Sequence, residues 1–559
     1  MNGGALNLAW ADAFVAGLAA AGLRHVVLAP GARSAPLALA VLRRPEICAH
    51  VINDERAAGY FALGIGRATR RPAAVLCTSG TAAANLLPAA MEANLAGIPL
   101  LMLTADRPAE INGWGANQTV DQTKLFGDQV RAFHAVSVPA DDISQGYLRA
   151  LATRLLEECR LPVAGPVHAN LPFREPLLPE TIPAPPPPLG EPIALAEAVP
   201  ALPAADALDA LAARLSTRPG VIVCGESDYP PAFAASLAAL AEQLGAPVFA
   251  EPLSDLRCGP HDRSRILAQQ ARFLRQADLP APAWVLRFGA FPVSRALERW
   301  LSGLDKAHHV LVASPGKWPD PLWRSDTFLR GDALAVAEAL RSRVAAAAPD
   351  WCAAWQRLEA AAEERATAFC TTSPLFEGSV IRELFAALPP DAHCFCGNSL
   401  VIRAMDAFSG TTAKRLHLHG NRGASGIDGN IATAAGIAAA TAAPVGLLIG
   451  DQTALHDCGS LALLPGRDVV AVVVDNGGGG IFDQLQFAHV ISPALFARGW
   501  TASPHVDFAR LAAAFGLRYG LATDAATLRQ MLDAAFASGG SWLLRVAVDR
   551  SVSREGFAA

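Results

Sequence analysis

Along the whole chain, short unbroken apolar runs, each closing on a cluster of Gly, Asp, Asn, Ser or Thr, alternate with longer Ala-rich stretches. Runs such as VVAVVV (469–474) show no in-out alternation. They predict strands buried on both faces, as in parallel sheets, and the Ala-rich stretches predict the helices that cover them. Three blocks repeat the pattern. Residues 1–183 carry HVVLAP, AAVLCTSG and PLLMLTAD; residues 195–350 carry VIVCGES, WVLRFGA and HVLVAS; residues 370–559 carry HCFCGNS, VGLLIGD, VVAVVVDN and SWLLRVAVD. Between the first two lies LPETIPAPPPPLGEPI (178–193), whose proline run forbids a helix and reads as an extended linker. No short-period repeat is present. The expectation is an α/β protein of three doubly wound parallel-sheet domains, with the polar clusters at carboxyl-terminal strand edges, where open α/β sheets bind ligands.

Two apolar stretches need a separate reading. The amino-terminal MNGGALNLAWADAFVAGLAAAG has no basic leader and carries Asp12, so it predicts an amphipathic first helix rather than a secretory signal. Residues 431–450 hold no charge but are mostly Ala, Gly and Thr, with Pro444 dividing them. A small-residue helix followed by a strand fits better than a membrane span.

Composition narrows the functional classes. With 559 residues, 52% hydrophobic and 17% charged, the chain can bury several cores. A net charge of -5 without Lys or Arg blocks argues against a nucleic-acid binder. The ten cysteines show no CxxC pair, and Cys394 and Cys396 fall inside a strand-like run, so they read as reduced core residues of a cytoplasmic protein. His417, His419, His456 and Asp457 lack a third ligand at helical spacing and read as ordinary hydrogen-bonding groups. Gly64 and Gly66 lack the third glycine of a dinucleotide fingerprint, and neither a Walker lysine nor a GxSxG elbow is present.

The strongest chemistry lies at the ends of two successive apolar runs. One is Gly450-Asp451-Gln452-Thr453; the other is Asp475-Asn476-Gly477-Gly478, with Asn476 placed 25 positions after Asp451. Taken alone, Asp451 could simply cap a helix. Together, an Asp carboxylate and an Asn side-chain oxygen are hard ligands suited to Mg²⁺, and the glycines let backbone N–H groups approach phosphate closely. This arrangement resembles the thiamine diphosphate enzymes, whose signature is Gly-Asp-Gly followed by Asn-Asn. Gln452 and Asp475 depart from it without removing a ligand. The resemblance implies Asp451, Asn476 and the Gly478 carbonyl as ligands for Mg²⁺ or Mn²⁺, with Gln452 and Thr453 against the thiamine diphosphate. It also implies a glutamate that works the cofactor's aminopyrimidine ring. Glu55, in Asn53-Asp54-Glu55-Arg56, is the candidate, although a carboxylate there could equally sit at a helix amino terminus.

The stretches APGARSAPLALA (29–40), DERAAGYFALGIGRA (54–68), TSGTAAANLLPA (78–89), LTADRPAE (103–110), GANQT (115–119), GNSLVIR (397–403), GNRGASGIDG (420–429) and NGGGGIF (476–482) resemble one branch of that superfamily. It is the menaquinone-pathway branch that makes 2-succinyl-5-enolpyruvyl-6-hydroxy-3-cyclohexene-1-carboxylate. The resemblance covers the first and third blocks densely and the middle one sparsely. It implies decarboxylation of 2-oxoglutarate on thiamine diphosphate and 1,4-addition of the succinyl carbanion equivalent to isochorismate. Both substrates are dianions, which planar guanidinium groups suit. The resemblance points to Arg33, Gln118, Arg403 and Arg422 beside Glu55 as catalytic and positioning groups, and to Ser34, Asn117, Arg107 and Arg295 as substrate contacts. Arg295 stands where the family often has lysine. Ser399 and Ile427 are implied as cofactor supports, and Ile481 and Phe482 as an apolar wall at the reacting centre; core packing competes for all three apolar residues. A homodimer or homotetramer with active sites at subunit interfaces follows, with no nucleic acid and no membrane insertion. An acetolactate synthase-like enzyme, a 2-oxo acid decarboxylase and a non-catalytic homologue are the alternatives.

Overall fold

The computed structural model describes residues 3–185, 193–196, 199–216, 218–314, 316–345, 350–501 and 506–558. Most of the proline run in the predicted linker lies outside the described residues. Three six-stranded sheets account for the apolar runs, and every strand pairing within them is parallel.

The first sheet contains β1 (His25–Leu28), β2 (Cys48–Val51), β3 (Ala73–Cys77), β4 (Leu100–Asp106), β5 (Ala132–Ala135) and β6 (Pro166–Pro172), in the order β2-β1-β3-β4-β6-β5. The second contains β7 (Gly220–Cys224), β8 (Val248–Ala250), β9 (Ile266–Leu267), β10 (Trp284–Phe288), β11 (His308–Ala313) and β12 (Thr327–Arg330), in the order β12-β11-β10-β7-β8-β9. The third contains β13 (His393–Cys396), β14 (His417–His419), β15 (Val445–Gly450), β16 (Val469–Asp475), β17 (Arg518–Ala522) and β18 (Ser541–Ala547), in the order β14-β13-β15-β16-β18-β17. The first and third sheets thus share one topology, and each reverses strand order between its first and third strands. That reversal opens a crevice at the carboxyl ends of β1 and β3, and again at β13 and β15.

By packing, the chain forms two compact units. One holds Met1–Glu197 with Asn421–Ala442 and Asp457–Leu463; the other holds Ala198–Gly420, Ala443–His456 and Leu464–Ala559. In the first unit the helix Asn430–Ala440 crosses the helix Glu55–Thr69 at close range. A Cβ on Gly64 would lie 2.1 Å from the Thr433 carbonyl oxygen, and one on Gly436 would lie 2.1 Å from that of Phe61. The small residues of both helices are therefore required by backbone approach. The predicted helix-then-strand reading of 431–450 matches Asn430–Ala440 followed by β15.

The first helix, Gly3–Ala20, corrects an expectation. It is long and apolar enough to cross a membrane, yet it is buried nearly all round rather than amphipathic. Even Asp12 is buried, because Arg43 reaches it as an ion pair. A buried charge is tolerated only when so paired.

In the second unit, the 23-residue helix Asp350–Thr372 occupies a segment that the apolar-run pattern left unassigned. Arg257, fully buried, ties the second sheet's loops to the helix Leu400–Phe408 through Asp406, with Nη2–Oδ1 at 2.6 Å and Nη1 donating to the Asp406 carbonyl at 2.8 Å.

Candidate active site

At the carboxyl ends of β1, β3 and β4, the first unit gathers several of the predicted substrate residues. Arg33, just past β1, is buried; it donates to the Phe173 carbonyl and to Glu175 Oε1, each at 2.8 Å. Ser34 is buried beside it and donates to the Gly31 carbonyl at 3.0 Å. Arg107, just past β4, donates to Ser79 Oγ. Gln118 Nε2 donates to the Ser79 carbonyl at 2.8 Å, and Gln118 holds a left-handed φ of 55°. Burial and the neighbouring Arg33 charge both lower the Arg107 pKa. The two guanidinium groups therefore feel each other at this edge of the sheet, with Glu175 balancing the charge of Arg33. Asn117, beside Gln118, is exposed.

Glu55 opens the helix Glu55–Thr69, whose preceding residue Asp54 caps it by accepting from the Ala57 N–H at 3.1 Å. Asp54 therefore performs the capping role, and Glu55, half-buried, is left for other work. Its charge reaches the β3 end: after burial, Glu55 is the cause that raises the Cys77 thiol pKa. The carboxylate is thus felt at the carboxyl end of β3.

The third sheet carries the complementary chemistry. Asp451 follows β15 and is buried; its Oδ1 accepts from the Gln452 N–H at 2.6 Å and its Oδ2 from the Gly478 N–H at 2.7 Å. Burial first, and then the charge of Asp475, push its carboxyl up to about 6. Asp475 is itself held by Arg545 at 2.7 Å. Asn476 Nδ2 donates to Glu377 Oε1 at 3.1 Å, while its Oδ1 is buried with no hydrogen-bond partner. A desolvated carboxylate and an orphaned amide oxygen, at the carboxyl ends of the adjacent strands β15 and β16, are donors that suit a hard divalent cation, which would relieve both penalties. The Gly478 carbonyl, predicted as a third ligand, accepts from Arg550 Nη1 at 2.9 Å, and Arg550 in turn pairs with Asp483. Thr453 is buried and Gln452 half-buried in the short helix Asp451–His456.

Ser399, between β13 and the helix Leu400–Phe408, holds φ 72° and ψ -127°, a backbone state costly for any residue but glycine. Arg403 folds back so that Nη1 donates to the Ser399 carbonyl at 2.5 Å. Ile481 and Phe482 lie half-buried in the turn Gly480–Gln484 after the glycine run. Arg295 is exposed at the start of the helix Arg295–Ser302 in the second sheet's domain, and no hydrogen bond links it to these residues.

Arg422 and Ile427 belong to the first unit, in the loop before Asn430–Ala440. Glu92 fastens that loop by accepting from Gly423 N–H at 2.9 Å and Ala424 N–H at 2.7 Å, and Tyr60 donates to Asp428 at 2.8 Å. Asp457 caps the helix by accepting from Ile431 N–H at 2.8 Å.

Sequence reasoning missed Ser79, Glu377, Arg550 and Glu92 as organisers of these sites. Only Ser79 carried a local signal, within Thr78-Ser79-Gly80-Thr81.

Three family models match this chain: "Thiamine pyrophosphate enzyme, N-terminal TPP binding domain" over residues 9–125, "Middle domain of thiamine pyrophosphate" over 202–396, and "Thiamine pyrophosphate enzyme, C-terminal TPP binding domain" over 402–546. A 2-succinyl-5-enolpyruvyl-6-hydroxy-3-cyclohexene-1-carboxylate synthase from Dechloromonas aromatica is 43% identical over 97% of this chain and 99% of that protein. The chain belongs to this synthase family. Synthases of the same name from Chloroflexus aurantiacus and Geobacillus kaustophilus are 40% and 37% identical, each over 97% of this chain and over 93% and 95% of those proteins. A benzoylformate decarboxylase from Polynucleobacter necessarius superposes with a TM-score of 0.72, at 16% identity, covering 97% of this chain and 98% of that one. At that identity the likeness concerns the fold, so it does not favour a decarboxylase over the synthase family.

Proposed function

We propose that this chain catalyses thiamine diphosphate- and Mg²⁺-dependent decarboxylation of 2-oxoglutarate and 1,4-addition of the resulting succinyl unit to isochorismate, giving 2-succinyl-5-enolpyruvyl-6-hydroxy-3-cyclohexene-1-carboxylate. The observation that carries this reading is 43% identity over 97% of the chain to a synthase of that name, joined to Arg33 and Arg107 at the carboxyl-terminal edge of the first sheet. When bound, thiamine diphosphate supplies the carbon nucleophile and the electron sink. Asp451 and the Asn476 oxygen would hold the divalent ion, Mg²⁺ or Mn²⁺, and the side-chain-free Gly477–Gly480 run would let the diphosphate approach, while the Gly478 N–H fixes the Asp451 carboxylate. Glu55 would take and return a proton at the pyrimidine ring nitrogen of the bound cofactor; Asp54, not Glu55, caps the helix. Arg33 and Arg107 receive the substrate carboxylates, with Ser34, Asn117 and Gln118 beside them; Arg403 and Arg422 add charge from their own loops. Ser399 and Ile427 support the cofactor, and Ile481 and Phe482 exclude water.

The working form is a homo-oligomer, dimer or tetramer, in the cytoplasm, in which Glu55 of one copy serves the diphosphate clamp of another. The test is a spectroscopic assay of isochorismate loss with 2-oxoglutarate, thiamine diphosphate and Mg²⁺. Consumption with 2-oxoglutarate and none with pyruvate is expected; equal use of pyruvate would favour an acetolactate synthase-like activity.

A further inference from the structure

The loop that carries Asn117 and Gln118 is tied to the strand ends of the first sheet by Gln122, a residue outside the predicted site. Gln122 is buried, and its side-chain amide touches three separate segments. Oε1 accepts from the Gly80 N–H at 3.0 Å, immediately after Ser79. Nε2 donates to Asn170 Oδ1 on β6 at 2.7 Å and to the Ala105 carbonyl on β4 at 3.3 Å.

The surrounding partners dictate which way each amide faces. Asn170 Oδ1 takes a second donor, Thr104 Oγ1 at 2.8 Å, and Asn170 Nδ2 donates to Asp106 Oδ2 at 2.7 Å. The other Asp106 oxygen accepts from the Arg107 N–H at 2.7 Å. Because the single Thr104 hydroxyl proton points to Asn170, His168 Nε2, 2.7 Å from Thr104 Oγ1, is the donor there. Burial pushes the His168 pKa down to about 3, which keeps the ring neutral. Turning over either amide would set donor against donor and acceptor against acceptor inside a buried network. The network therefore has one arrangement.

That arrangement ends on the predicted substrate residues, which meet at Ser79. Ser79 Oγ accepts from the Arg107 guanidinium, and the Ser79 carbonyl accepts from Gln118 Nε2. A Cβ on Gly80 would lie 3.0 Å from Gln118 Cγ, so the turn and the loop are in close contact. Gln122 holds this turn directly and, through Asn170 and Asp106, holds the Arg107 backbone as well.

We propose that Gln122 is a positioning residue for substrate: by bridging Gly80 and Asn170 it sets where Arg107 and Gln118 stand around Ser79 when a dianionic substrate arrives. The substrate in this assignment rests on the synthase reaction proposed above; the hold on the turn does not.

Gln122→Met keeps the length of the side chain and removes both amide groups. In the full-length protein loaded with Mg²⁺ and thiamine diphosphate, it should lower kcat/KM for 2-oxoglutarate and isochorismate by about tenfold, with cofactor affinity unchanged. In an Arg107→Ala background the same substitution should lower it by less than about threefold, because the guanidinium it positions is gone. Equal losses in the two backgrounds, or a parallel loss of cofactor affinity, would overturn the proposal. Hydrogen exchange read by mass spectrometry follows the hold without turnover. Residues 78–82 and 112–125 should exchange faster in Gln122→Met than in the parent, while β1 keeps its rate; unchanged exchange would also overturn the proposal. A parent protein that consumes no isochorismate with 2-oxoglutarate would count against the synthase reaction alone, and the exchange comparison would still decide whether Gln122 holds this edge. Thr104→Val interrupts the network from β4 and is read in the same ways if Gln122→Met folds poorly.

Discussion

Glu377 accepts a hydrogen bond from the Asn476 side-chain amide at 3.1 Å, and this contact leaves the amide oxygen buried with no protein partner. The other Glu377 oxygen accepts from Ser553 Oγ, so the carboxylate is fixed from both sides. By holding the amide nitrogen, Glu377 orients the side chain whose oxygen is the proposed ligand.

Loss of that support is testable. Glu377→Ala should weaken Mg²⁺ binding by about 10–100-fold, the usual effect of removing a group that orients a ligand. Asp451→Ala, which removes a ligand itself, should abolish metal-dependent cofactor binding. Both are read as the Mg²⁺ concentration that half-saturates thiamine diphosphate binding by calorimetry. An unchanged requirement in Glu377→Ala would mean that the Asn476 amide needs no orientation.

Glu55→Gln separates binding from chemistry. The amide keeps the size and one acceptor, and Asp54 continues to cap the helix, so the fold and cofactor affinity should persist. Turnover should fall by about 10²–10⁴-fold, the range for a lost proton-transfer group. Parallel measurement of cofactor affinity and steady-state rate checks this, and full turnover would remove Glu55 from the proton path.

Arg107→Ala should act on substrate rather than cofactor. A hydrogen bond to a charged group contributes about 1.5–3 kcal/mol, so kcat/KM for the dianionic substrates should drop by roughly 10–150-fold. Thiamine diphosphate affinity should be unchanged. Ser79, which loses its guanidinium donor, still holds Gln118 through its carbonyl, so the neighbouring turn should survive.

How much of this was legible follows from where the signals lie. β15 and β16 announce themselves as apolar runs because they are buried on both faces, and Asp451 and Asn476 stand out as the polar residues that end them. The edge strand β2 reads Cys-Ala-His-Val, with no apolar run, because one of its sides has no neighbour. The helix Gly3–Ala20 was expected to show a polar face, but a helix enclosed on most sides has none to show. Glu377 was invisible for a different reason: its partners Asn476 and Ser553 are distant in sequence, and a lone Glu at a helix start carries no mark of what will fold against it.

Glu251 gives the last prediction, through pH. It follows β8 and is buried; burial first, then the charges of Glu226 and Asp406, push its carboxyl from 4.5 up to about 8. Between those values the folded protein retains a proton that the unfolded chain has released. Stability from this group is therefore fully present below about pH 4.5 and is lost as pH rises through about 8. Glu359, raised to about 7 chiefly by burial, acts with the same sign, so above about 7 Glu251 is the raised carboxyl that still holds its proton, and the comparison with Glu251→Gln removes what the buried thiols add. One fully released proton corresponds to a slope of about 1.4 kcal/mol per pH unit. Glu251→Gln keeps an acceptor for the Leu253 N–H, now at 3.0 Å, but cannot titrate. Its melting temperature should decline less than the parent's between about pH 7 and about pH 8, as followed by circular dichroism. Parallel declines in the two proteins would mean that the Glu251 carboxyl is ionised in the folded state throughout.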